Sequence, residues 1–128
     1  MKISNPVVWF EIYVNDLQRA KKFYETVFKT ELSELPTPEG NGSMEMQSFP
    51  MEMTGEGAAG ALVKMEGFKA GGGGTIVYFR SDDCSDEESR IEKVGGKIFQ
   101  SKQSLGEYGF MVLASDTEGN MFGIHSEK

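Results

Sequence analysis

The same run of elements, β-α-β-β-β, is predicted twice along this chain, over residues 7–65 and again over 75–125. A repeated supersecondary unit constrains the fold more than any single motif, because each copy must bury one face of its own sheet. In the first copy, Val7 to Val14 is rich in β-branched and aromatic residues and predicts a buried strand interrupted by one acid, Glu11. Asn15-Asp16 offers a helix cap, and Leu17, Ala20, Phe23, Tyr24, Val27 and Phe28 recur at the three-and-four spacing of a helical face. Short strands are predicted over residues 31–35, 44–49 (with Met51 and Met53 continuing the alternation) and 58–65, separated by Pro36, Pro38 and the Gly40-Asn41-Gly42 turn.

The second copy opens with a strand over Thr75 to Arg80. Ser85 to Glu88 has the spacing of a capping box, predicting a helix that carries Ile91 and Val94 and stops at Gly95-Gly96. Strands over 97–100, 110–114 and 121–125 follow, the last two joined by the hairpin signal Asp116-Thr-Glu-Gly-Asn120. Sliding one half on the other by 67 residues sets Asp16 on Asp83 and Val27 on Val94, and the last strands align Gly60-Ala-Leu62 with Gly123-Ile-His125. The expected organisation is one domain of two modules, 1–66 and 75–128, joined by the Gly-rich stretch 67–74.

Composition narrows the chemistry. A single histidine, His125, and a single cysteine, Cys84, exclude a Cys/His zinc site and an internal disulfide within one chain. A net charge of -7 disfavours nucleic acid and anionic membranes as partners. With no signal-peptide pattern and no apolar run near the roughly 18 residues of a span, the expected location is the cytoplasm. The glycines at 71–74 lead into a strand rather than a helix, so they read as a linker and not a phosphate cradle. Met44, Met46, Met51 and Met53 alternate as packing residues do, and copper is not expected. Cys84 stands among Asp82, Asp83, Asp86 and Glu87, surroundings that disfavour a thiolate nucleophile.

The run Phe10-Glu-Ile-Tyr-Val-Asn-Asp-Leu-Gln-Arg-Ala-Lys-Lys-Phe-Tyr-Glu-Thr-Val-Phe28, Gly-Ala-Leu-Val at 60–63, and Asp-Thr-Glu-Gly-Asn-Met-Phe-Gly at 116–123 resemble the vicinal oxygen chelate superfamily. That superfamily holds glyoxalase I, bleomycin-resistance proteins and extradiol dioxygenases, and the branch resembled is that of predicted lactoylglutathione-lyase-related proteins. The resemblance implies an α+β fold of two tandem βαβββ modules, each curling a mixed sheet around a cavity, and a homodimer. Metal-dependent members place a ligand on the first and last strand of each module. Counting from Asp16-Leu17 and from Gly119-Asn120 carries those positions onto Trp9, Gly60, Ile76 and Gly123, none of which ligates a cation. The expectation is therefore no metal and no cofactor at the usual site.

Two residues beyond each of those positions, strand alternation predicts inward side chains at Glu11, Leu62, Tyr78 and His125. Glu11 and His125 are the candidate general base and acid, and the Tyr78 hydroxyl the candidate donor to an oxyanion. Trp9, Gly60, Leu62, Ile76 and Gly123 are the candidate pocket lining. Each also has a plain structural reading. His125 near the chain end can be a satisfied hydrogen-bonding residue, Tyr78 can be a packing aromatic, and a buried Glu11 must meet a partner, water or ligand. Two functions follow from this set: a metal-free lyase- or isomerase-like acid–base enzyme, or a protein that sequesters a small molecule without turning it over. Fold alone does not choose between them.

Overall fold

The computed structural model describes residues 5–37, 44–52 and 54–128. Eight strands and two helices appear in the order β1 (Val7–Tyr13), α1 (Leu17–Phe28), β2 (Ser33–Glu34), β3 (Glu45–Ser48), β4 (Ala59–Lys64), β5 (Thr75–Arg80), α2 (Cys84–Ile91), β6 (Lys97–Ser104), β7 (Phe110–Ser115) and β8 (Met121–Ser126). The βαβββ order is present twice, in the mixed α+β architecture that the sequence resemblance implies. Two compact units result, one of Trp9–Thr75 and one of Ile76–Lys128 together with the residues up to Val8. The second claims the start of β1 through an Arg80 N–H bond of 2.9 Å to the Pro6 carbonyl.

In the N-terminal unit the strand order is β2-β3-β4-β1, with β1 parallel to β4 and the other pairs antiparallel. Asp16 caps α1 by accepting from the Arg19 N–H at 3.0 Å. Leu17, Ala20 and Tyr24 form the stripe that packs on Val14, Ile12, Leu32, Leu62 and Phe49. The other apolar residues expected on that face, Phe23, Val27 and Phe28, are more than half exposed. At about 100° per residue Phe23 lies at the edge of that stripe, whereas Val27 and Phe28 keep its heading and are exposed in the last turn of the helix. Phe23 and Phe28 instead hold Tyr24 in place, at ring-centroid distances of 5.1 and 6.3 Å.

In the C-terminal unit the order is β5-β8-β7-β6, with β5 parallel to β8. Here α2 covers Ile124, Val112 and Ala114 through Cys84 and Ile91. Its cap is Asp83 rather than the expected Ser85. The Asp83 carboxylate accepts from both the backbone N–H and the hydroxyl of Ser85, and it pairs with Lys102 at 2.8 Å. A 3-10 turn, Glu92–Val94, follows and leaves Val94 exposed instead of on the helical face.

Several boundaries moved. The strand expected over 31–35 is only Ser33–Glu34, Met51 lies outside any strand, and β6 runs on to Ser104 through register shifts. Met53, Pro38 and the Gly40-Asn41-Gly42 turn lie outside the described residues. Among the described residues, no helix is long and apolar enough to cross a membrane.

Candidate functional site

Strand β1 sends successive side chains to opposite faces. Phe10 and Ile12 point to the α1 side, where Phe10 meets Phe49 at 5.7 Å between centroids. Trp9, Glu11 and Tyr13 therefore share the other face, and there they form a hydrogen-bonded set. The Trp9 indole Nε1–H donates to Glu11 Oε2 at 3.1 Å, and the Tyr13 hydroxyl donates to Glu11 Oε1 at 2.7 Å. Glu11 is only 7% exposed. A carboxylate buried at that depth needs compensating donors, and two neutral ones supply them, one to each oxygen.

The charge on Glu11 is felt by its neighbour. Burial first, then the Glu11 charge, then their shared hydrogen bond push the Tyr13 phenol well above its ordinary value. Tyr13 also stacks on Phe68, with centroids 5.0 Å apart and planes inclined by 25°. Its hydroxyl is thus fixed as a donor from one side and its ring from the other.

Gly60 and Leu62 do not share the Glu11 face. The register pairs Phe10 with Gly60, Glu11 with Ala61 and Ile12 with Leu62. Gly60 lies under the Phe10 ring and Leu62 in the α1 core, so both belong to the helix-packed face. The residues of β4 that stand beside Trp9, Glu11 and Tyr13 are Ala59, Ala61 and Val63. A one-residue offset on a strand moves every side chain to the other face, which is why Gly60 and Leu62 stand on the α1 side.

In the C-terminal unit Ile76, Tyr78, Gly123 and His125 do fall on one face, opposite α2. Tyr78 pairs with Gly123, and its ring occupies the space that a Cβ at Gly123 would need. Phe79, Phe122 and Ile124 point the other way, toward α2. Ile76 and Tyr78 are buried. The His125 ring is half-buried, and its Nε2 lies 2.6 Å from the Tyr108 carbonyl. A carbonyl only accepts, so this contact has Nε2–H as its donor.

Tyr13 and the Tyr108 carbonyl are the site groups that sequence reasoning missed. The first was within reach, since Tyr13 is two residues beyond Glu11 on the same alternation. The second is a backbone group delivered by the turn Gly106–Tyr108, and no side-chain pattern announces it.

The family's metal positions do not fit a cation. Trp9 offers an N–H already given to Glu11, while Gly60, Ile76 and Gly123 offer no donor atom. Correcting the β4 register replaces Gly60 by Ala59 or Ala61, which ligate no better. Among the described residues, no three His, Cys, Asp or Glu side chains cluster as a metal site would require.

The family model described as bleomycin resistance protein-like N-terminal matches residues 7–46, which cover β1, α1 and the capping Asp16. The chain is 26% identical over 118 residues to proteins named putative glyoxylase CFP32 from Mycobacterium bovis and Mycobacterium tuberculosis, covering 91% of this chain and 43% of theirs. It thus spans less than half the length of those curated relatives. Among solved structures, it superposes on methylmalonyl-CoA epimerase of Streptomyces coelicolor with a TM-score of 0.67 and 13% identity, over 96% of this chain and 97% of that one. The epimerase of Mycobacterium tuberculosis also gives 0.67 and 13%, over 100% and 93%. A hypothetical protein of Bacillus halodurans gives 0.68 and 11%, over 98% and 96%. At such identities the shared property is the fold.

Proposed function

We propose, from the premise that this chain belongs to the vicinal oxygen chelate superfamily, that it is a small-molecule enzyme moving a proton by acid–base chemistry without a metal at the usual positions. The observation that carries this reading is Glu11: an acid inside a buried strand whose two carboxylate oxygens are oriented by the Trp9 indole N–H and the Tyr13 hydroxyl. Such a carboxylate is preorganised, so little rearrangement accompanies its reaction with a substrate. In the proposed step Glu11 takes a proton from a carbon next to a carbonyl. The C–H electron pair moves onto the carbonyl oxygen as an enolate, and protonation of that carbon completes an isomerisation. The Tyr78 hydroxyl and the His125 imidazole, in the C-terminal unit, are proposed as an oxyanion donor and an acid in their own right, each tested by its own variant.

The names of the similar proteins suggest the probes: an α-hydroxy-carbonyl compound for the glyoxylase likeness, and a methyl-branched malonyl thioester for the epimerase likeness. Incorporation of solvent deuterium at the activated carbon is the readout. Glu11→Gln is expected to slow it about 100-fold, and unchanged exchange in that variant overturns the catalytic role.

Sequestration is the second reading, and one observation favours it: both Glu11 oxygens already accept a hydrogen bond, as in a finished wall. It predicts quenching of Trp9 fluorescence by a ligand without any exchange. A homodimer and a cytoplasmic location belong to both readings, and sedimentation at micromolar concentration tests the first of these.

A further inference from the structure

On the α2 side of the C-terminal unit, the helix does not reach across its sheet. It ends at Ile91, tightens into the Glu92–Val94 turn and stops at Gly95, whose φ of 101° reverses the chain. A cavity of about 270 Å³ opens there. Its floor is Phe79 and Phe122, set edge to face at 6.1 Å and 78°, and Val94 forms its outer wall. Phe79 remains 38% exposed and Val94 75%, a large apolar exposure beside a packed core.

The rim is charged. Arg90 lines the cavity and is in no ion pair among the described residues, whereas Arg80, the strand partner of His125, falls on the opposite face of the sheet. Glu87 lines it too, but its carboxylate is taken up by the Ser81 hydroxyl at 2.5 Å. Arg90 is therefore the guanidinium that the cavity offers to an anion, beside a Glu87 carboxylate already engaged by Ser81.

We infer that this cavity binds a small amphipathic carboxylate, with an aromatic or branched body on Phe79 and Phe122 and its carboxylate on Arg90. The volume falls just under the roughly 300 Å³ at which ordinary ligand pockets begin, which suits one ring with a short chain. Guanidinium matches a carboxylate in a two-pronged geometry, and the apolar floor excludes a bare, strongly hydrated inorganic anion. The site is independent of Glu11, which belongs to the other unit.

The test is a backbone amide NMR titration of the full chain with 3-phenylpropanoate, its neutral amide and acetate. The acid is expected to shift the amides of Phe79, Arg90, Val94 and Phe122, with the amide at least about tenfold weaker and acetate silent. Arg90→Gln is expected to weaken the acid to the level of the amide. Equal affinity of acid and amide for the unaltered protein, shifts confined to other residues, or no shift at millimolar acid would each overturn the inference. The acid–amide comparison needs no variant, so it stands whether or not Arg90→Gln folds.

Discussion

The Tyr13 hydroxyl holds the Glu11 carboxylate at 2.7 Å in a buried setting, so its loss is expected to be felt in stability first. Tyr13→Phe removes a donor from the buried carboxylate, at a cost of about 2 kcal/mol in denaturant unfolding. Alkaline titration gives an independent reading. The unfolded phenol ionises near about 10, whereas the folded one keeps its proton to higher pH. The folded state then binds more protons than the unfolded state, so the slope of stability against pH is negative. Tyr13's contribution is complete below about pH 10 and is lost as pH climbs above it. Of the four tyrosines, Tyr13 is expected to show no phenolate absorbance until the chain unfolds, and Tyr13→Phe should flatten the alkaline fall in stability. Ordinary ionisation of all the tyrosines in the folded protein would contradict the placement. At this scale the sequence was informative about Glu11 because an acid in an apolar strand demands partners. It singled out His125 but not its partner, because that partner is the backbone carbonyl of Tyr108.

At the scale of elements, alternation and helical period located the strands and helices, while registers and caps depended on contacts distant in sequence. The cap of α2 is an example: Lys102, on β6, reaches Asp83 and selects it over Ser85. The β4 register is another, because only the pairing of Phe10 with Gly60 reveals which face Leu62 takes. Two glycines test that register. A Cβ at Gly60 would meet the Phe10 ring and the Phe10 carbonyl, and a backbone carbonyl in a central strand pair cannot swing aside. Gly60→Ala is expected to cost about 1–3 kcal/mol or more. Gly72, in the stretch once expected to be a linker, has open space around its Cβ and no positive φ, so Gly72→Ala should be neutral or slightly stabilising. Thermal melts of the pair check this, and a tolerated Gly60→Ala would show that the Phe10 ring is misplaced.

For the whole molecule, the doubled βαβββ order was legible before any coordinates, because turn residues and periodicity repeat even where side chains do not. What the repeat did not reveal is that the two copies use their aromatic–glycine pairs on different faces. Phe10 covers Gly60 on the helix side, while Tyr78 covers Gly123 on the side away from α2. Each copy thus uses its repeated geometry differently, and the faces left over differ in chemistry: an acid with two donors in one, a tyrosine and a histidine in the other. The central claim is that Glu11, without a metal, moves the proton. Deuterium exchange into the carbon acids proposed above, by protein treated with a chelator and then exchanged into metal-free buffer, tests it most directly. The account predicts that the rate survives chelation unchanged and drops about 100-fold in Glu11→Gln; a rate abolished by the chelator and restored by added divalent metal would contradict it.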